Sequence, residues 1–266
     1  MTGPLTNLLV TALAVLVTML ATMAYALRTG RQTVVDTVWG LGFVMIAAVS
    51  FATSTGHGLD ARRVLVLVLT AVWGLRLAVH LHTRNRGKGE DPRYAALMRR
   101  NTGPAVPYVI KTIYWPQGAV MWIVSLPVQV AMYETAPLGI VTWLGVAVWL
   151  VGLLFETVGD LQLSRFKADP ANRGKVMDRG LWAWTRHPNY FGDATVWWGL
   201  FLVACAHWAA LLTVVSPVLM THMLVNRSGK ALLERRMARS RGPEYAGYLA
   251  RTSGFLPRPP RRSATP

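Results

Sequence analysis

Arg186-His187-Pro188-Asn189-Tyr190-Phe191-Gly192-Asp193 runs straight into an apolar block that extends from Phe191 to Val225. These residues set an arginine, a histidine, an amide, a phenol and a carboxylate at the point where the chain turns apolar. Polar and ionisable groups at a membrane boundary are costly unless they are paired or bind something. The stretch therefore reads as the mouth of a membrane bundle, shaped for a polar, anionic ligand.

The rest of the chain supports a membrane reading. Of 266 residues, 53% are hydrophobic and only 15% are charged, whereas a soluble domain carries about 25% charged residues. The apolar residues come in runs long enough to cross a hydrocarbon core of about 30 Å. Five such runs precede the Arg-His-Pro stretch: Leu5 to Leu27, Thr33 to Ala52, Val64 to Leu81, Tyr108 to Met132 and Leu138 to Thr157. Pro116 and Pro127 mark expected kinks in the fourth, tolerable in a membrane where neighbours satisfy the freed carbonyls. The final block is too long for one span, and His207-Trp208 reads as a turn that divides it into helices six and seven. The expectation is an all-α integral membrane protein of about seven helices.

The cations orient it. With the N-terminus outside, the inside segments hold 2, 7, 6 and 10 Lys plus Arg, which is 25 of the 28. Only Arg62 and Arg63 fall outside, and Arg76 lies within helix three. This asymmetry predicts a cytoplasmic C-terminus. It also accounts for the net charge of +16 without nucleic acid, because the charge sits in loops between apolar spans and no nucleic-acid module is present. A single cysteine, Cys205, excludes an intramolecular disulfide and a cysteine-rich metal site. The histidines are scattered and form no HExxH pattern, so no metal is expected. Residues 1–107 read as helices 1–3 with a basic loop, 108–257 as helices 4–7 with a ligand pocket, and 258–266 as a disordered tail. The segment around Gly229 to Met237 reads as an amphipathic continuation on the membrane surface.

Several acids gather near cytoplasmic helix ends. Asp36 opens helix two, and Asp193 opens helix six, where each complements the helix dipole. Glu156 and Asp160 share a face at i, i+4 spacing and are expected at the C-terminus of helix five, where the dipole disfavours them. That location calls for a compensating partner or ligand. The following loop carries Arg165, Lys167, Arg173, Lys175, Arg179 and Arg186, and arginine suits phosphate through its planar fork. Trp182 and Trp184 are candidates for stacking on a planar ring. No GxGxxG or GxxxxGK[ST] pattern follows a strand, so any nucleotide would be held by the bundle itself.

Residues 186–193 resemble the signature of the steroid 5α-reductase and sterol C14/C7-reductase superfamily. The tail follows that superfamily's order, with Glu234-Arg235-Arg236, Arg241-Gly242, Tyr245, Tyr248 and Phe255-Leu256-Pro257. Asp36 to Gly40, an Asp-x-x-Trp-Gly, and Gly87 to Tyr94 resemble its uncharacterised bacterial branch, which implies a bacterial plasma membrane. The resemblance implies a seven-helix bundle that takes NADPH from the cytosol. It implies that Asp160 and Asn189 contact the nucleotide and that Arg186, Tyr190 and Asp193 shape its pocket. Lys167, Arg173 and Tyr248 are further carry-overs, and Glu156, Arg165 and His187 complete the expected cofactor set. The implied reaction is hydride transfer to an activated C=C bond of a lipid-like substrate, followed by protonation.

The chain departs from the steroid-specific enzymes. They place a Gln-Glu pair on helix two and a tyrosine on helix three, where this chain has Gln32 and Asp36, then Trp73 and Arg76. Asp36 is the expected substrate-facing acid. Sterols, quinones, polyprenols and unsaturated fatty acyl chains fit an apolar bundle equally well. Two other classes share features of this sequence. Isoprenylcysteine-type methyltransferases, which use S-adenosylmethionine, carry an Arg-His-Pro-x-Tyr element, and a non-enzymatic lipid-binding protein would need no cofactor.

Overall fold

A computed structural model describes residues 3–227 and 230–260, apart from the side chains of residues 209, 231, 232, 235, 236 and 239–241. Among them the fold is helical, with one isolated bridge between Thr185 and Ser253. The helices are α1 (Pro4–Thr29), α2 (Val34–Thr53), α3 (Asp60–Asn85), α4 (Pro92–Met98), α5 (Ala105–Val109), α6 (Trp115–Val124), α7 (Leu126–Ala131), α8 (Ile140–Ala168), α9 (Leu181–Trp184), α10 (Pro188–Ala204), α11 (Val215–His222) and α12 (Lys230–Arg251). Five helical segments are long and apolar enough to cross a membrane: α1, α2, α3, α8 and Ala210–Arg227. Their outward faces carry exposed leucine and valine, such as Leu9, Leu13 and Leu16 on α1, as lipid contact requires.

The expected fourth span is a broken rod. A π turn, Ile110–Tyr114, precedes Pro116, and Ser125 separates α6 from α7 just before Pro127. Each break falls where a proline lacks the N–H that a continuous helix needs. The expected turn at His207-Trp208 is also a break, where α10 has ended and His207 is extended before a 3-10 turn, Trp208–Val214. α10 itself has 17 residues.

The chain divides into two compact units. The first comprises residues 1–142 and 203–216, the second 143–202 and 217–266. In the first, α2 and α3 meet through glycine, since a Cβ on Gly74 would lie 2.7 Å from the Gly40 carbonyl oxygen. Phe43 then packs edge-on against Trp73, with ring centres 5.5 Å apart. Several buried polar groups of this unit pair with one another. Gln129 Oε1 accepts from Thr11 at 2.6 Å, its amide donates to Ser125 at 2.8 Å, and Asn7 accepts from Thr53 at 2.7 Å.

Arg62 and Arg63, the two cations that run against the charge asymmetry, are not loop charges. Both lie within α3 and are buried. Arg62 donates to the carbonyls of Val203, Ala136 and Pro137 at 2.5, 3.2 and 3.1 Å and to Thr142 Oγ1 at 3.1 Å. Arg63 donates to Ser54, to the Phe51 carbonyl and to Asp60. They pin chain turns from within, so they carry little weight in a count of interfacial charge.

The second unit is built on a glycine register. Gly145, Gly152 and Gly159 recur every seven residues on α8, and Gly192 and Gly199 do so on α10. A Cβ on Gly152 would lie 2.7 Å from Gly192 O, and one on Gly199 would lie 2.6 Å from Trp149 N. Only glycine allows backbones this close, and close contact is what holds helices together where no hydrophobic effect operates between them.

Candidate functional site

α8 continues to Ala168, well beyond the expected end at Thr157. This corrects the expectation that Glu156 and Asp160 sit at a helix C-terminus. Both lie within a continuous helix, and Arg165 and Lys167 occupy its last turn, where cations complement the dipole. Compensation for Asp160 comes from across the helix pair. Asn189 Nδ2 donates to Asp160 Oδ1 at 3.1 Å. The glycine register makes this reach possible, because Gly159 sits against Pro188 and the Asn189 backbone. Pro188 is the first residue of α10, where a missing N–H costs nothing.

Glu156, Asp160 and Asp193 are buried, and Asn189 and Tyr190 are half-buried. Arg165, Lys167, Arg173 and Lys175 are exposed on the last turn of α8 and the segment after it. Asp169, the acid within that stretch, is occupied locally, accepting from Ala171 N at 2.9 Å and Asn172 Nδ2 at 3.2 Å. The four cations are thus presented on one exposed stretch of chain.

Arg186 and His187 face the tail. Arg186 Nε donates to Glu234 Oε1 at 2.8 Å, and its Nη1 donates to Thr252 O at 2.6 Å. His187 Nε2 lies 3.2 Å from the same Glu234 oxygen, and its ring stacks on Tyr190 at 5.4 Å. A Cβ on Gly254 would sit tightly against Arg186 Nη2 and Lys230 Nζ, each at 3.1 Å, so these side chains would have to shift slightly to admit one. Tyr248 is buried, and its hydroxyl donates to Trp182 O at 2.6 Å. Trp182 in turn donates to Gly159 O at 3.0 Å, which makes it a spacer between the tail and α8. Tyr245, Tyr248 and Val176 form a small core under Met237 and Leu249. The amphipathic segment expected at Gly229 to Met237 falls on α12, but Gly229 and the side chains of residues 231, 232, 235 and 236 lie outside the described residues, as does 261–266 of the expected tail.

Glu234 reads in the sequence only as part of the tail signature, with no role in the site. It is the one acid among Lys230, Arg235, Arg236, Arg239 and Arg241, and a lone acid in a basic run signals a specific partner. Burial works to raise its pKa, but hydrogen bonds from His187 and Arg186, with the charge of Arg186, hold it down at about 2. Burial depresses the His187 pKa below its ordinary value, against the opposing pull of Glu234. Both shifts act in the same direction. Protonating Glu234 costs folded stability as pH falls from about 4.5 towards 2, and charging His187 costs it below about 6.5. The tail contacts should therefore be fully present at pH 7 to 8 and weaken by about 1 kcal/mol by pH 4 and about 2 kcal/mol by pH 3. Hydrogen exchange of residues 245–258 reads this directly, and Glu234→Gln should flatten the slope. An unchanged slope in that variant would place the titration elsewhere.

Asp36 belongs to the other unit, with a different set of partners. Its oxygens accept from Tyr94 at 2.7 Å and from Arg93 at 2.8 Å. Burial, then Asp36 itself, pushes the Tyr94 phenol up, so the phenol keeps its proton and donates it to Asp36. Asp36 thus reaches the segment Gly87 to Tyr94, which the sequence singled out. That segment is fixed to α2 by Glu90, whose carboxylate accepts from the backbone N–H groups of Gln32 and Thr33 and from the Thr33 hydroxyl. Asp91 caps α4 ahead of Pro92, accepting from Arg93 N at 2.7 Å.

An uncharacterised protein of Schizosaccharomyces pombe is 22% identical, over 76% of this chain and 66% of its own length. No solved structure matches. The family model described as a protein of unknown function, DUF1295, matches residues 22–252, which include both the Asp36 cluster and the Asp160–Asn189 pair. The chain belongs to the DUF1295 family, in the steroid 5α-reductase-like group.

Proposed function

We propose that the protein is an NADPH-dependent membrane reductase of a C=C bond in a lipid-like substrate. The observation that carries the reading is the Asp160–Asn189 pair, a carboxylate and an amide held 3.1 Å apart beside a strip of exposed cations. This donor set fits a phosphorylated dinucleotide. The amide and carboxylate bind the hydroxyl and amide edges of a nucleotide, and Arg165, Lys167, Arg173 and Lys175 bind its phosphates. A cationic strip favours the extra 2′-phosphate of NADPH over NADH and makes affinity fall with salt. Bound NADPH would supply the hydride. The chain's own part is to orient the cofactor and to keep water from the reacting bond with an apolar wall.

The topology belongs to the same reading. Seven spans, an outside N-terminus and a cytoplasmic C-terminus put the strip where the cell keeps NADPH. The distribution of 25 of 28 cations supports that orientation. The substrate is a hydrophobic molecule reached from the bilayer, of steroid, isoprenoid or fatty acyl type. A bacterial plasma membrane is the proposed location. Asp36, with both oxygens engaged by Tyr94 and Arg93, is proposed as a substrate-side acid that acts with its phenol partner.

Asn189→Ala and Asp160→Ala test the pocket. A hydrogen bond to a charged group contributes about 1.5–3 kcal/mol, so each change should weaken NADPH binding roughly 10- to 100-fold. Both variants should still elute as folded protein in detergent. Wild-type NADPH affinity in both would remove the pair from the pocket.

A further inference from the structure

The first unit holds a recess of about 200 Å³ that the reductase reading does not use. It lies where the end of α1, the start of α2 and the end of α3 meet. Tyr25, Arg31, Thr37, His82, Asn85 and Arg86 line it, and no carboxylate does. The two acids near the start of α2 are spent elsewhere, Glu90 on the backbone N–H groups of Gln32 and Thr33 and Asp36 on Arg93 and Tyr94. Neither carboxylate is bonded to Arg31 or Arg86 among the described residues, and the lining itself is basic. Donors also remain. Arg31 gives one N–H to Lys88 O at 2.8 Å, out of the five its guanidinium carries. The side-chain amide nitrogen of Asn85 is buried, with no acceptor among the described residues. A buried donor left unpaired costs about 1–3 kcal/mol, which a bound acceptor would recover.

Size and setting decide the ligand. Pockets that engulf a drug-sized molecule measure roughly 300–1,000 Å³, so this recess takes a phosphate with a short polar group and cannot enclose a dinucleotide. Tyr25 is 57% exposed at its edge, and Ala21 and Val17, one and two turns back on the same side of α1, are exposed as well. An apolar track thus leads away from a basic recess at the membrane boundary. Basic recesses between membrane helices at this depth suit lipid headgroups. We propose that the recess binds the phosphate headgroup of an anionic phospholipid, whose acyl chains lie along the exposed face of α1. The arginines clasp the phosphate oxygens, and Asn85 and Thr37 are the neutral donors beside them. This site stands independently of NADPH binding, which would be read at Asp160 and Asn189.

The test uses the full chain in neutral detergent, with phosphatidylglycerol and phosphatidylcholine of identical acyl chains added separately. Thermal unfolding and native mass spectrometry read binding. At least fivefold preference for phosphatidylglycerol is expected, lost in Arg31→Gln/Arg86→Gln and kept in the charge-matched Arg99→Gln/Arg100→Gln. Asn85→Leu, which leaves every charge in place, should also lower the preference and serves if the double variant does not fold. Equal binding of the two lipids overturns the proposal, and so does equal loss in both double variants, which would mean bulk attraction. Stabilisation by inorganic phosphate that needs Arg31 and Arg86, with none from phosphatidylglycerol, would give the recess to a soluble phosphate and overturn the lipid assignment.

Discussion

Gly192→Leu should leave no folded protein to purify. A Cβ at Gly192 would already lie 2.6 Å from Gly152 O and 2.8 Å from Glu156 Cα. Those are backbone atoms of α8, which cannot rotate away as a side chain can. A leucine would force α8 and α10 apart along their length, because Gly152, Gly159 and Gly199 depend on the same spacing. Separation forfeits the dispersion contacts that hold membrane helices together. It also breaks the Asn189–Asp160 hydrogen bond, so fold and candidate site fail together. Gly192→Ala is the graded control. Overpacking by one methyl costs about 1–3 kcal/mol, so that variant should fold with a lowered melting temperature. Size-exclusion profiles in detergent give the readout. A monodisperse Gly192→Leu protein melting like wild type would refute the close contact.

Arg186→Ala has the next largest expected effect. The change removes donors from Glu234 and from the carbonyls of Thr252 and Leu249. Among the described residues Glu234, whose side chain is 21% exposed, then keeps only the weaker partner His187. Stripping one member from a largely buried ion pair costs about 3 kcal/mol, because the other charge stays behind. The loss should be local. Residues 230–258 should become sensitive to protease in detergent while α1 to α3 stay protected. Arg186→Lys should rescue only part of it, since an ammonium has no planar fork to reach Glu234 and Thr252 together. Arg186→Ala/Glu234→Ala should be less damaged than the two single changes summed, by about 1 kcal/mol or more. Strict additivity would mean that the two side chains do not interact.

The parts legible in the sequence were those with local causes. Apolar runs marked the long helices, and Pro116 and Pro127 marked the breaks in α5 to α7, because a proline's missing N–H acts on its own turn. The turn at His207 was likewise local. What escaped was set by partners far along the chain. The polar residues after Thr157 look like the end of a helix, yet α8 continues to Ala168. Glu234 gains its meaning from Arg186, 48 residues away, and Glu90 from Thr33, 57 residues away. The glycines of α8 and α10 repeat every seven residues in plain view, but the repeat becomes an interface only once the two helices are paired. In the candidate site, Asp160 and Asn189 were expected together and lie together, while Asp36 clusters with Arg93 and Tyr94 in the other unit. Tyr248 donates to the Trp182 carbonyl and the Trp182 ring to Gly159 O, contacts that the sequence alone did not foresee.

Binding of NADPH, NADH and S-adenosylmethionine to the detergent-purified protein, measured by calorimetry, bears most directly on the proposed chemistry. Selective NADPH binding that weakens with salt and is roughly 10- to 100-fold weaker in Asn189→Ala is the expected result. Selective binding of S-adenosylmethionine, or no binding of any of the three by a folded protein, would contradict it.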